Sequence, residues 1–394
     1  MKVLVVADEL EPYGGQERSL VDVTEGLVAR GHAVDLLYRA GGSFEERYRR
    51  ACRSMTRIAT LRGREGQRFH RAALLRAALG ARRAAADVDV VYLNDDRHAF
   101  VGGVLSRLPR RPVVCHLRLP VTTARTRQDR LGLPLVDRFI AVSAATRDEY
   151  TASGFDPGKL DVVHNGIDPG RFPFGDEARR AAARAGLGLD GQFTVLFVGR
   201  LDHAKGIETL LDAWAALGLG PDEGRLVLAG EARNHRSAAE AEAYVTSLRS
   251  RAPAATCLWA GKRSDVVPLY HAADVVALPS VFPEPFGRVL VEGMACGRPA
   301  VGSAVGGIPE ILTGELAGGL VPPRDPAALA AALGRLRGWR DRDPGLAERC
   351  RAAVERRFTL DRTVDGVEAV LERAVSGVRP GGPSRSLAAH RPMR

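Results

Sequence analysis

Lys2-Val3-Leu4-Val5-Val6-Ala7, Pro12-Tyr13-Gly14-Gly15 and Ala33-Val34-Asp35-Leu36-Leu37-Tyr38 are the segments on which the fold turns. The first is a β-branched apolar run, which reads as a buried strand, and the second is a turn. Residues 16–30 then place Leu20, Val23, Leu27 and Val28 at helical spacing, and Gly31-His32 ends that helix. Strand, helix and strand in this order form a βαβ unit, which predicts a right-handed crossover in a parallel sheet.

Further strands are expected at Val88–Asn94, Pro112–Leu117, Arg138–Val142 and Leu160–His164. The order then restarts. Phe193–Val198 reads as a strand, Gly199–Lys205 as a loop and Ile207–Trp214 as a helix. Strands follow at Arg225–Leu228, Thr256–Ala260, Asp274–Leu278 and Pro299–Gly302. Two halves of this kind make an α/β chain of two Rossmann-like parallel-sheet domains facing across a cleft, with a hinge in the Pro/Gly-containing stretch Gly166–Gly175. The expected boundaries are residues 1–170 and 171–360 for the two domains, and 361–376 for a helix crossing back to the first. Residues 377–394, rich in Pro, Gly, Ser and Arg, are expected to be a disordered tail.

At 394 residues, 45% hydrophobic and 26% charged, the chain has material for two cores. The formal net charge of +10 fits an anionic partner, but only Lys2, Lys159, Lys205 and Lys262 are lysines, and an Arg-, Ala- and Gly-rich composition also follows from GC-rich coding. The five cysteines lack any metal-ligand or disulfide spacing and read as small apolar residues in a reducing compartment. The opening apolar run is too short for a signal-peptide core, and no stretch reaches the ~18–20 apolar residues of a membrane span. A cytoplasmic chain is expected, with peripheral contact at the inner membrane face through the Arg-rich region 45–85, where Leu61, Leu74, Leu75 and Leu79 lie among the arginines. That region has few aromatics for stacking bases, and no nucleic-acid partner is expected.

In sheets of this kind ligands bind beyond the carboxyl ends of the strands. Gly14-Gly15 follows the first strand, where glycine lets a backbone approach a ligand at a helix start; a plain turn explains it as well. Arg200 and Lys205 follow the strand of the second half, placed to hold a diphosphate and to stabilise its charge as it leaves. A third segment, Leu278-Pro279-Ser280-Val281-Phe282-Pro283-Glu284-Pro285-Phe286-Gly287-Arg288-Val289-Leu290-Val291-Glu292, runs from strand to loop to helix. It places Glu284 in the loop and Glu292 on the helix, so that one carboxylate can meet a sugar while the other meets a ribose. The N–H groups of Phe286, Gly287, Arg288 and Val289 would point at polar donor atoms.

With these residues in view, the chain resembles the large retaining glycosyltransferase family numbered four, with the two-Rossmann-domain fold called GT-B. Gly14-Gly15, the Gly199–Gly206 segment, Glu284 with Glu292, Gly306-Gly307-Ile308-Pro309-Glu310 and Asn165-Gly166-Ile167-Asp168 carry the likeness, which spans nearly all of the chain except the tail. The resemblance implies that Arg200 and Lys205 bind the donor diphosphate, that Glu284 meets donor-sugar hydroxyls with help from the Phe286 and Gly287 amides, and that Glu292 holds the ribose. It also implies that Gly15 lets its loop approach the phosphate and that His116 is an active-site histidine near the donor sugar. Family members often carry Asp after that histidine; here Leu117-Arg118 follows, with Arg118 either meeting an acidic acceptor group or lying on the surface.

The implied reaction moves a sugar from a nucleotide diphosphate sugar, UDP by default, onto a natural-product, glycolipid or cell-envelope hydroxyl, by front-face substitution with retention. No metal or other cofactor is expected, since Arg and Lys can neutralise the diphosphate. Asn94-Asp95-Asp96 is not a DxD motif and reads as loop polarity. Two rivals stand beside this. A nucleotide-sugar epimerase of related fold would convert the sugar without acceptor, and a basic non-catalytic binding protein would act through residues 45–85.

Overall fold

The structure, a computed structural model, describes residues 1–61, 82, 85–107, 110–121, 125–233 and 237–377. The first domain alternates β1 (Lys2–Glu9), α1 (Gly15–Ala29), β2 (Ala33–Ala40), α2 (Glu45–Ala51), β3 (Ser54–Arg57), β4 (Val90–Leu93), α3 (Ala99–Leu105), β5 (Val113–Leu117), α4 (Arg127–Gly132), β6 (Arg138–Ala141), α5 (Ala144–Ala152) and β7 (Leu160–Val162). Its seven strands pair in the order β3-β2-β1-β4-β5-β6-β7, all parallel, with Val3 opposite Val34 on one side and Val90 on the other. Helices cover both faces of such a sheet, which is why Val3–Ala7 is a continuous apolar run with almost no exposed surface.

The second domain contains α6 (Glu177–Ala185), β8 (Phe193–Val198), α7 (Ile207–Ala216), β9 (Gly224–Ala229), α8 (Ala238–Arg251), β10 (Cys257–Gly261), α9 (Val267–Ala272), β11 (Val275–Leu278), α10 (Arg288–Ala295), β12 (Ala300–Ser303), α11 (Ile308–Ile311), β13 (Leu320–Val321), α12 (Pro326–Leu336), α13 (Trp339–Arg342) and α14 (Leu346–Arg357). Its parallel order is β10-β9-β8-β11-β12-β13. In each sheet the connections depart to opposite sides from one central pair, β1/β4 and β8/β11. A crevice therefore opens beyond their carboxyl ends. The strands expected from apolar runs are present to within a residue or two. Ser54-Met55-Thr56-Arg57 and Leu320-Val321 were not anticipated: both are edge strands, too polar or too short to leave an apolar run.

The chain crosses between domains twice at one place. Ile167 N–H donates to Phe358 O (3.0 Å), and Leu360 N–H donates to Ile167 O (2.7 Å), so the outgoing and returning segments pair as a short parallel bridge. Gly166 N–H donates to Thr363 Oγ1 at 2.6 Å. The crossing therefore sits at the start of the expected hinge, while Pro169 and Phe172 already accept bonds from Arg351 of α14. The final helix, α15 (Leu360–Gly377), returns to the first domain, burying Val364, Val367, Val370 and Leu371 with Val3, Val5 and Leu20.

Two expectations change. Leu61 is not a surface residue; it is buried with Ile58 and Leu93 in the first core. Arg49, Arg50 and Arg53 are paired with Glu45, Glu46, Asp35 and Asp87, so their charge is balanced locally. Leu74, Leu75, Leu79 and the tail beyond Gly377 lie outside the described residues. No described helix is long and apolar enough to cross a membrane. Cys115, Cys296 and Cys350 are buried and Cys52 and Cys257 half-buried, all as free thiols.

Candidate active site

The loop after β8 brings Arg200 and Lys205 to the crevice. Lys205 Nζ lies 2.5 Å from Glu284 Oε2, and both side chains are about 15% exposed (16% and 15%). Ser280 Oγ donates to the same carboxylate at 3.1 Å, and Arg200 Nε is 3.3 Å from Asp202. Burial is the largest single influence on the Glu284 carboxyl and pushes it up; Lys205, Ser280 and Arg200 together outweigh it and hold it below the usual carboxylate range.

Gly287, the residue before α10, has φ +103, a left-handed conformation that glycine adopts without strain. The turn leaves the N–H groups of Phe286, Gly287, Arg288 and Val289 without a protein acceptor among the described residues, at the positive end of α10. The Phe286 ring is buried against His164 and Phe358, so only its backbone is offered to a ligand. Glu292 is buried, receiving Tyr270 Oη at 2.8 Å on one oxygen and Arg288 Nε at 2.8 Å on the other. Two carboxylate oxygens carry about four acceptor positions, so capacity for ribose hydroxyls is left.

Arg288 bridges the domains. Its Nη2 reaches Asp22 Oδ2 of α1 at 3.1 Å, while Nη1 is buried with no hydrogen-bond partner among the described residues. Burial alone would lower this guanidinium's affinity for its proton; Glu292 and Asp22 more than offset that. Its stem passes Gly15, where an added Cβ would sit 3.6 Å from Arg288 Cδ, an ordinary contact. Gly14 has extended backbone, φ −165. Neither glycine is required by conformation, and what they supply is an uncovered start to α1. Tyr13, just before them, meets the Arg233 guanidinium of the second domain at 4.3 Å.

The first domain holds three surprises. His116 has no exposed surface. Its Nδ1 is 2.6 Å from Tyr92 Oη, which also accepts from Arg118 Nη2 at 3.2 Å. Burial, then the Arg118 charge, push its pKa well below the usual value, so the ring is neutral. The ring is closed off from the surface, and its Nε2 is buried with no hydrogen-bond partner among the described residues. Arg118 is not on the surface either: it is 6% exposed, with bonds to Asn94 Oδ1 (2.7 Å), Ser19 Oγ (2.6 Å) and Asn165 Oδ1 (2.9 Å). Ser19 lies between Gly15 and Asp22 on one face of α1, so Arg118 and Arg288 flank the same face.

Asn94-Asp95-Asp96 is likewise more than loop polarity. Asn94 and Asp95 are buried, and Asp95 caps a short turn through Arg97 N–H at 2.9 Å. Asp95 is held below the usual range: burial raises it, but Arg97 and His98 outweigh burial. Asp96 is pushed up to about 7, first by burial and then by the Asp95 charge, and receives Tyr150 Oη at 3.4 Å. No described group of His, Cys, Asp and Glu has the arrangement of a metal site.

The sequence reading passed over Ser19 and Asp22, whose only signal was polarity on an otherwise apolar helix face, and over Ser143 and the function of Glu310. The latter two join the domains, and partners that distant leave no spacing to read.

Residues 13–171 match the family model described as Glycosyltransferase Family 4, and residues 192–338 the model described as Glycosyl transferases group 1. A D-inositol 3-phosphate glycosyltransferase of Mycolicibacterium gilvum is 36% identical over 225 residues, 57% of this chain and 49% of the relative. One of Segniliparus rotundus is 36% identical over 245 residues, 61% and 53%. The chain spans about half the length of these curated relatives. Among solved structures, Anabaena Alr3699/HepE in complex with UDP and glucose superposes with a TM-score of 0.79 at 24% identity, covering 94% of this chain and 99% of that one. Sucrose-phosphate synthase of Thermosynechococcus elongatus gives 0.75 at 24%, covering 96% and 100%. At such identities the structural likeness concerns the fold, two Rossmann-like domains across a cleft.

Proposed function

The chain belongs to the family-4 glycosyltransferases, with the GT-B fold, and we propose on that premise that it moves a sugar from a nucleotide diphosphate sugar onto an acceptor hydroxyl. The observation that carries this is a pair of charged clusters on the strand-end loops of the second domain: Lys205 with Glu284 beside the Arg200 charge, which also acts on Glu17 of α1, and Glu292 with Arg288, which reaches Asp22 of α1. In this reading Arg200, Lys205 and the free N–H groups of Gly287–Val289 hold the diphosphate, Glu284 the sugar and Glu292 the ribose. Residues 171–360 are then the donor domain and residues 1–170 the acceptor domain.

The chemistry follows from the charges. As the sugar–phosphate bond breaks, negative charge grows on the departing oxygen, and cations already in place stabilise it without reorganising. With those cations the chain needs no metal, and retention by front-face substitution, with the departing oxygen taking the acceptor proton, fits a site where His116 is sealed away. UDP is the proposed nucleotide, supported by HepE having been solved with UDP and glucose. The relatives' name puts inositol phosphates in the acceptor panel beside glycolipids and natural products.

Thermal stabilisation across nucleotide sugars tests the donor, because a ligand bound only by the folded chain raises the melting point. No stabilisation by any of them refutes the reading, and conversion of the nucleotide sugar without acceptor replaces transfer with epimerisation. A cytoplasmic site with peripheral membrane contact through residues 45–85 is a separate proposal. Liposome co-sedimentation that survives Arg→Glu changes at 49, 50 and 53 would remove it.

A further inference from the structure

The loop that carries Glu284 is held by both domains. From its own side, Gly307 N–H donates to Glu284 O at 2.8 Å. Gly306, at φ +54, presses so close that an added Cβ would lie 2.0 Å from that oxygen. From the other domain, Ser143 Oγ donates to Pro285 O at 2.6 Å. Ser143 has no exposed surface and is the N-cap of α5, its Oγ also accepting from Thr146 N–H.

The next two residues of α5 extend the contact. Ala144 and Ala145 N–H donate to the two oxygens of Glu310 at 3.0 and 2.9 Å, and His164 Nε2 lies 2.7 Å from the same carboxylate. A carboxylate here satisfies orphan N–H groups and meets the positive helix end. Burial pushes the Glu310 carboxyl up, and His164 with the two amides overcomes that and holds it below its usual range. Glu310 stands three residues after Gly307, so the segment that grips Glu284 from behind also plugs into α5.

We propose that the N-terminus of α5 is a socket that sets the donor-sugar loop, and that Ser143 is a positioning residue for Glu284. The sugar-binding part of the second domain is then in register only while the first domain is docked against it. Among the nucleotide-binding groups, Arg200 and Glu292 have their partners away from this contact, and Lys205 meets it only through Glu284. The proposal rests on the donor reading above. It goes beyond it in making sugar recognition, and not nucleotide affinity, the property that the domain contact controls.

The test compares UDP and UDP-glucose on the full chain, wild type and Ser143→Ala, by calorimetry and by turnover. Removing the hydroxyl leaves Pro285 O with only the longer bond from Thr146 Oγ1 (3.3 Å), and a shift of about 1 Å in a reacting geometry lowers rates on the order of 100-fold. The expected result is UDP affinity within twofold of wild type, UDP-glucose affinity lowered about tenfold, and a turnover loss that falls on kcat more than on KM. Glu310→Gln should show the same pattern more weakly. Ser237→Ala, which removes the N-cap of α8 in the same way, should lower the melting point without changing the ratio of UDP-glucose to UDP affinity. Equal losses of both ligands in Ser143→Ala, or an unchanged affinity for UDP-glucose, would overturn the positioning role. A wild type that binds neither ligand overturns the donor reading itself, and this proposal with it.

Discussion

Lys205→Met replaces a buried ammonium with an apolar chain of similar length and leaves Glu284 facing burial with fewer cations. Two unit charges at the observed 2.5 Å attract by about 6–7 kcal/mol at an effective dielectric of 20. Desolvating both groups cancels much of this, and breaking a fully buried pair costs about 3–5 kcal/mol. With both side chains slightly exposed, and Ser280 and Arg200 still near the carboxylate, a loss of about 2–3 kcal/mol is expected, or roughly 5–10 °C for a domain of this size. The deficit should depend on pH. In the wild type the folded carboxyl lies below its unfolded value, so its contribution is complete above the unfolded pKa and is lost as pH falls through the folded one. Without Lys205 the carboxyl moves up and takes a proton more readily, so the deficit relative to wild type shrinks between pH 7 and pH 5. Adding Glu284→Gln removes the stranded charge and should recover at least about 1.5 kcal/mol, while turnover stays at least about 100-fold down in both variants. The assay is thermal and urea unfolding of the four proteins of the cycle at both pH values, with single-turnover kinetics at pH 7. Additive losses, or a deficit that does not change with pH, would refute the view that burial is the largest single influence on Glu284 and that Lys205 offsets it.

Three further outcomes are expected. His116 is neutral in the fold, so below its unfolded pKa of about 6.5 the unfolded chain binds a proton that the folded chain refuses, and stability falls on acidification; His116→Asn keeps a hydrogen-bond partner for Tyr92 and should flatten that slope in unfolding curves between pH 5 and 7 while sparing turnover within about tenfold. Asp96, held protonated up to about 7, penalises folding increasingly as pH rises from about 4 to 7, so Asp96→Asn should stabilise the chain by up to about 4 kcal/mol at pH 8 and by nothing measurable at pH 4. Arg118→Gln cannot serve Asn94, Ser19, Asn165 and Tyr92 together and should lose about 2–4 kcal/mol in denaturant unfolding; Arg118→Lys should recover under half of it, because an ammonium lacks the planar fork.

Part of this molecule was legible residue by residue. Runs such as Val3–Ala7 and Phe193–Val198 are apolar because both faces of a parallel sheet are covered, so the places of the strands along the chain and the count of two domains follow from local composition. Lys205 and Glu284 were legible because each stands where a strand gives way to a helix, the place at which such sheets bind ligands. His116 shows where local reading stops. A histidine near a strand end looks the same in sequence whether its ring meets the cleft or the core, and only the packing of Tyr92 and Arg118 around it decides which. Asn94-Asp95-Asp96 looked like solvated polarity because burial is not a local property.

What the sequence by itself determined, then, is everything written at short range: two parallel sheets, their crevices, and the cations and carboxylates at the strand ends. What only the tertiary structure decided is how the halves meet. Arg288 reaches Asp22, Ser143 holds Pro285, and Glu310 caps α5 across gaps of 266, 142 and about 165 residues. Spacing and periodicity carry no information at that range. Such contacts are selected by shape and charge after both domains have folded, and a sequence shows only their separate halves.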